Sequence, residues 1–175
     1  IISQPDYGEQ ALDLVEQLVI SDFIDLIIID SVAALVPKAE LDGQVADNFV
    51  GLQARMMAKG IRKLVALANR HQTTLIFLNQ LREKVGVIFG NPEVTPGGRS
   101  LKFAASLRLD VRIKEKLRDN NEYIGQSVKI RVVKNKLAAP YGEAIINFLY
   151  ASGLDRGEEL LEKKKKKHLV TQSGS

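Results

Sequence analysis

The order of elements along the chain predicts an α/β fold built on a mostly parallel sheet, with antiparallel strands added at its edge. Three observations carry this. Two short apolar, β-branched segments, residues 26–29 and 73–78, flank a long helical pattern, and a strand, helix, strand order argues for parallel pairing through right-handed crossovers. Beyond residue 105 the pattern changes to strand-like segments joined by short connectors, as in hairpins. No apolar run approaches the roughly 20 residues that a membrane span requires, so a membrane protein is not expected.

Taken in order, residues 1–4 are expected to finish a strand. Residues 8–20 predict a helix, because Leu12, Val15, Leu18 and Val19 recur at helical spacing. Residues 26–29 are apolar at every position, as in a strand buried on both faces. Residues 37–48 are polar and acidic with a glycine, which predicts a loop. From 49 to 71 a helical pattern runs through Leu52, Met56, Leu64, Val65 and Leu67, and residues 73–78 predict a second buried strand. Residues 81–99 hold four Gly and two Pro without a steady period. That predicts a long loop, and such loops in compact domains tend to be functional. Residues 106–113, 127–133 and 144–150 predict three edge strands, with connectors at 119–121 and 139–142, and the tail from Gly157 is a charged helix candidate.

The chain has 175 residues, 45% hydrophobic and 26% charged. That is ample for a core, argues against disorder, and by length allows about one domain. With no Cys there is no disulfide scaffold and no thiolate metal site, which fits a reducing cytoplasm. Residues 1–4 carry no Met and no basic leader, so the chain is expected to begin within a longer protein. The formal net charge is +4, with 25 Lys and Arg against 21 Asp and Glu, and five of the positives form one run at 163–167. Only the placement of charge can therefore point to nucleic acid.

In open α/β sheets, ligands bind beyond the carboxyl ends of the strands. The first predicted strand ends in Asp30 and Ser31. A carboxylate and a hydroxyl there form a Walker B pattern, in which Asp holds Mg²⁺ directly or through water, or else cap the helical turn that begins at Val32. The next strand ends in Asn79 and Gln80. An amide there can read a γ-phosphate, or it can satisfy loop backbone. Two such adjacent tips feeding into a Gly-rich loop suggest a nucleotide switch. A P-loop, Gly-x-x-x-x-Gly-Lys-Ser/Thr, is absent from the chain, and the segment at Gly97-Gly98-Arg99-Ser100 is only an imitation of it.

Basic residues give the second signal. Arg55, Lys59 and Arg62 stand at i, i+4 and i+7 with Lys63 beside them, a stripe that can follow a phosphodiester backbone or be a solvated outer face. The loop that follows carries Arg82, Lys84, Arg99 and Lys102 with Val85, Val87, Ile88 and Phe89 interleaved. Cations track phosphates while apolar side chains wedge against bases, so a loop that orders on a partner is expected. Lys134 and Lys136 end another strand, where they are either solvated or directed at a phosphate of a neighbouring subunit. His71 and His168 have no partner spacing and receive no role.

These stretches together are similar to those of the bacterial RecA recombinase family. The resemblance lies in residues 4–12, 29–40, 51–57, 77–82, 86–93, 97–98, 101–103 and 132–136, and runs from Ile2 to about Gly157 with hardly a gap. It implies a RecA-type P-loop NTPase core that takes ATP and Mg²⁺, forms a homo-oligomeric filament on single-stranded DNA, pairs it with double-stranded DNA, and exchanges strands in recombination and repair. By motif match, Asp30 and Ser31 are the Walker B residues, with Asp30 on Mg²⁺ through water, and Gln80 is the γ-phosphate sensor. Residues 42–50 and 81–102 are the two DNA-binding loops, with DNA contacts at Arg55, Lys59, Arg62, Arg82, Lys84, Gly97 and Gly98. Lys102 and Phe103 serve the subunit interface, and Lys134 and Lys136 reach ATP on the adjacent protomer.

The family's P-loop, catalytic Glu and N-terminal polymerisation helix precede the point where this chain starts. Residues 1–152 are thus expected to be a partial ATPase core without its P-loop part, and 153–175 the start of a truncated C-terminal domain. The fragment alone is expected to lack ATPase activity. A non-catalytic module that binds single-stranded DNA or modulates a filament is the alternative.

Overall fold

In the computed structural model, residues 1–44, 47–83, 86, 93–157, 159, 160 and 164 are described. They form two compact units, Ile1–Ala105 and Ser106–Ser175.

The first unit begins without regular structure at residues 1–5, where the end of a strand was expected; its two isoleucines find no strand to pair with among the described residues. Helix α1 spans Gly8–Ile20 and buries Leu12, Val15 and Val19. Strand β1, Leu26–Ile29, runs parallel to β2, Thr74–Phe77, with Ile29 opposite Phe77. Between them come a 3₁₀ turn at Val32–Ala34, a short helix α2 at Lys38–Leu41 inside the predicted loop, and the long helix α3 at Leu52–His71. Gly51 opens α3 in the left-handed region at φ 71°, which a residue without Cβ tolerates.

Eight buried side chains make the core: Leu12, Val15 and Val19 of α1, Val32 and Leu35 of the turn, and Met57, Ile61 and Leu64 of α3. Ile27, Ile29, Leu75 and Phe77 pack against them from one face of the β1–β2 pair. Strand side chains alternate between faces, so Leu26, Ile28 and Ile76 point the other way and are exposed, Ile28 at 56%. The expectation of strands buried on both faces is thereby corrected: in the described residues both helices lie on one side. Lys63 of α3 pairs with Glu16 of α1 at 2.5 Å on the outside of this packing.

The predicted long loop is not without order. Its stem is a two-residue antiparallel ladder between β3, Arg82–Glu83, and β4, Glu93–Val94, and it ends in helix α4, Ser100–Ala104.

The second unit is a four-stranded antiparallel sheet, β5 (Leu107–Asp119), β6 (Glu122–Asn135), β7 (Glu143–Leu149) and β8 (Gly153–Leu154), in that spatial order. The first hairpin is longer than expected, because its charged distal part has no apolar alternation to mark it as strand. Asn120 and Asn121 turn it with φ of 45° and 70°, the pair of positive values that matches strand twist in a two-residue hairpin. The chain is thus α/β, but among the described residues only β1 and β2 pair in parallel, and β5 to β8 form their own sheet instead of an edge of the first. The tail beyond residue 157 lies largely outside the described residues. Among those described, no helix is long and apolar enough to cross a membrane.

Candidate functional site

The parallel register places the two polar strand ends side by side. Leu78 donates its N–H to Ile29 at 2.9 Å, and Val32 donates to Leu78 at 2.9 Å, so Asp30 and Ser31 lie across from Leu78, Asn79 and Gln80. Asp30 is exposed and Ser31 half-buried; the peptide between them is cis. No described residue engages the Asp30 carboxylate. A free carboxylate with a neighbouring hydroxyl, open to solvent, is an oxygen donor set that suits Mg²⁺ held with waters and phosphates. Among the described residues, no three His, Cys, Asp or Glu cluster to hold a metal by themselves. Gln80 is exposed beside Asp30's strand, and its backbone N–H donates to Asn79 Oδ1 at 2.9 Å.

The base of the 81–102 loop is tied back to these tips. Asn79 Nδ2 donates to the carbonyl of Pro96 at 3.1 Å. One residue on, the N–H of Gly97 donates to Gln53 Oε1 at 3.1 Å, while Gln53 Nε2 donates to the carbonyls of Val32 and Leu35, each at 3.0 Å. Gly97 is buried at φ 83°, and a Cβ there would stand 2.8 Å from Val32 Cγ1. Gly98 has φ 76° and backs onto Ala54. A cavity of about 470 Å³ opens beside this base, lined among others by Glu40, Phe49, Arg82 and Thr95.

Arg55, Lys59 and Arg62 share the exposed side of α3, Arg62 donating from Nε to Ala58's carbonyl at 3.1 Å. Arg82 sits on β3 opposite Val94. Lys84, with Val85, Val87, Ile88 and Phe89, lies outside the described residues. Lys102 and Phe103 are exposed on α4.

In the second unit, Lys134 stands opposite Arg108 on β6, and Lys136 donates its N–H to Ser106 at 2.9 Å. Partial burial, then Lys136 and Arg108, hold the Lys134 ammonium below the usual lysine range. Asn135 points to the other face, where its Oδ1 accepts from Leu137 and Ala138. Lys136 and Arg108 both act on Lys134, so three cations gather at this strand end.

Residues 1–155 match the RecA N-terminal domain family. The chain belongs to the RecA family. It is 55% identical over 174 residues to Protein RecA of Mycoplasma mycoides subsp. mycoides SC, covering 99% of this chain and 50% of that protein. Against Protein RecA of Mesomycoplasma hyopneumoniae strain 7448 it is 53% identical over 175 residues, covering 100% and 52%. Against the chromosomal Protein RecA of Lactococcus lactis subsp. lactis it is 54% identical over 179 residues, covering 100% and 46%. The chain spans about half the length of the RecA relatives it matches.

Within this RecA chain, Asn79 satisfies loop backbone at Pro96, one of the two readings open to an amide at this strand end, whereas sequence reasoning missed Gln53 as a structural tie. A signal for Gln53 existed: it falls on the stripe of Met57, Ile61 and Leu64, where an amide among core positions asks for partners. Also missed was a charged sheet face, where Arg112 bonds Asp110 at 3.0 Å and Lys129 and Arg131 reach Glu143 at 2.8 and 3.6 Å. Arg112 and Asp110 are local to one strand, whereas Lys129 and Arg131 meet Glu143 only through strand register.

Proposed function

We propose that this chain is the central part of a DNA-dependent recombinase ATPase that assembles as a filament on single-stranded DNA, and that residues 153–175 begin its C-terminal domain. The observation that carries the reading is the pair of adjacent strand ends, with Asp30 on one and Gln80 on the other, leading directly into a basic loop whose base is bonded to Asn79 of one end and, through Gln53, to the turn that follows the other. Asp30 would hold Mg²⁺ through water with Ser31 beside it, and the ion would supply charge neutralisation at the phosphates of ATP. Gln80 senses the γ-phosphate and passes its presence to the 81–102 loop. That loop and residues 42–50 carry DNA, with Arg55, Lys59, Arg62, Arg82, Lys84, Gly97 and Gly98 at the contacts. Lys134 and Lys136 present positive charge to ATP on an adjacent protomer, and Lys102 and Phe103 serve that interface.

The chain holds no P-loop sequence, so by itself it is expected to hydrolyse no ATP; DNA-stimulated turnover abolished by Asp30→Ala would overturn that. In the intact protein, Gln80→Ala is expected to leave nucleotide binding in place while ATP no longer raises affinity for single-stranded DNA in anisotropy titrations. A retained rise refutes the switch. Salt-sensitive DNA binding by an intact protein that never binds nucleotide would instead favour a non-catalytic module.

A further inference from the structure

One side chain outside every motif role joins three segments of the first unit. Gln53 spends both amide hydrogens on Val32 and Leu35, the turn that directly follows Asp30 and Ser31, and its oxygen on Gly97, at the base of the 81–102 loop. The amide is half-buried and three of its four hydrogen-bonding positions are used. The segments it joins are otherwise in close contact: Val32 is fully buried, and the missing Cβ of Gly97 is what lets the loop base lie against it. Asn79 grips the preceding residue, Pro96, from the tip of β2. Consecutive residues of the loop base are therefore held by two amides, Asn79 at the end of β2 and Gln53 on α3.

We propose that Gln53 is a positioning residue that couples the Asp30–Ser31 end of β1 to the 81–102 loop, a second arm parallel to the one through Asn79 and Gln80; the inference rests on the nucleotide-switch reading above. A shift of the turn after Ser31 must either carry Gly97 with it or break bonds at a half-buried amide, and leaving such groups unpaired is costly. A change at the nucleotide end is therefore passed to the loop base through Gln53 as well as through Gln80, and both are needed for the response.

The test compares intact wild-type protein with Gln53→Met, which keeps the shape and loses all three bonds, and Gln80→Ala. The readout is the ratio of single-stranded DNA affinities with and without a non-hydrolysable ATP analogue, alongside nucleotide affinity and thermal melting. Gln53→Met is expected to lose at least about tenfold of that ratio, a typical size for coupling between sites, with nucleotide affinity kept. Should it fail to fold, Gln53→Glu, which keeps the acceptor for Gly97 and loses both donors, is expected to show the same loss. A wild-type ratio in the folded Gln53 variant, with Gln80→Ala impaired, overturns the inference and leaves the switch standing. A wild-type ratio in Gln80→Ala as well refutes the switch reading and the inference together.

Discussion

The two units of the chain are held together by different forces. Among the described residues, the eight buried side chains of the core all belong to Ile1–Ala105, where two helices close over one face of a parallel pair. In Ser106–Ser175 the buried positions among described residues are Gly125 and Ser127, and the apolar face of the sheet, with Leu109, Val111 and Ile113, is exposed. The first unit gains its stability from removing apolar surface from water. The second relies on ladder hydrogen bonds, a turn and cross-strand pairs, each a smaller contribution. The candidate residues divide along the same line, with strand ends and a loop on a packed scaffold in one unit and clustered cations on an open sheet in the other.

Core truncation should separate the units most clearly. Leu64, 1% exposed in α3, should lose about 2–5 kcal/mol on conversion to Ala in urea unfolding, whereas Ile113→Ala on the open sheet should change stability by no more than about 0.5 kcal/mol. Equal costs would break the comparison by showing that the sheet face is covered. The turn comes next. Asn121→Val forces a β-branched residue into φ 70° and should cost about 1–2 kcal/mol, while Asn121→Gly should cost nothing; amide exchange along β5 and β6 would report both. The smallest effect is electrostatic. The hydrogen bond from Lys129, then the charges of Lys129 and Arg131, outweigh partial burial and hold the Glu143 carboxyl below the usual range. A depressed carboxylate contributes stability that is complete above its unfolded pKa and lost as pH falls through the folded one. Glu143→Gln should therefore flatten the acid limb of the stability profile below about pH 4.5 and leave its neutral limb parallel to wild type; an unchanged acid limb would show that the pair adds nothing.

Helix α1 could be read from the sequence to the residue, since Leu12, Val15 and Val19 are local and periodic, and the lengths of β1 and β2 came within one or two residues. Other features could not be read so. An uninterrupted apolar run such as Leu26–Ile29 does not say whether one face or two are covered, because periodicity is silent when every position is apolar. The distal hairpin was missed because charged residues alternate there without an apolar face, and α4 because five residues are too few for a period.

For the candidate site, the residue types at the strand ends, a carboxylate, a hydroxyl and an amide, were set by the sequence alone, since strand termini follow from local hydropathy. So was membership in the RecA family, which long motifs carry. Only tertiary structure decided the register that sets the Asp30–Ser31 end of β1 against Leu78, that Gln53 reaches across 44 residues to Gly97, and that Lys134 shares its strand end with Lys136 and Arg108. Each depends on contacts between segments distant in the chain, whose register is fixed by packing against a shared core and leaves no local pattern to read.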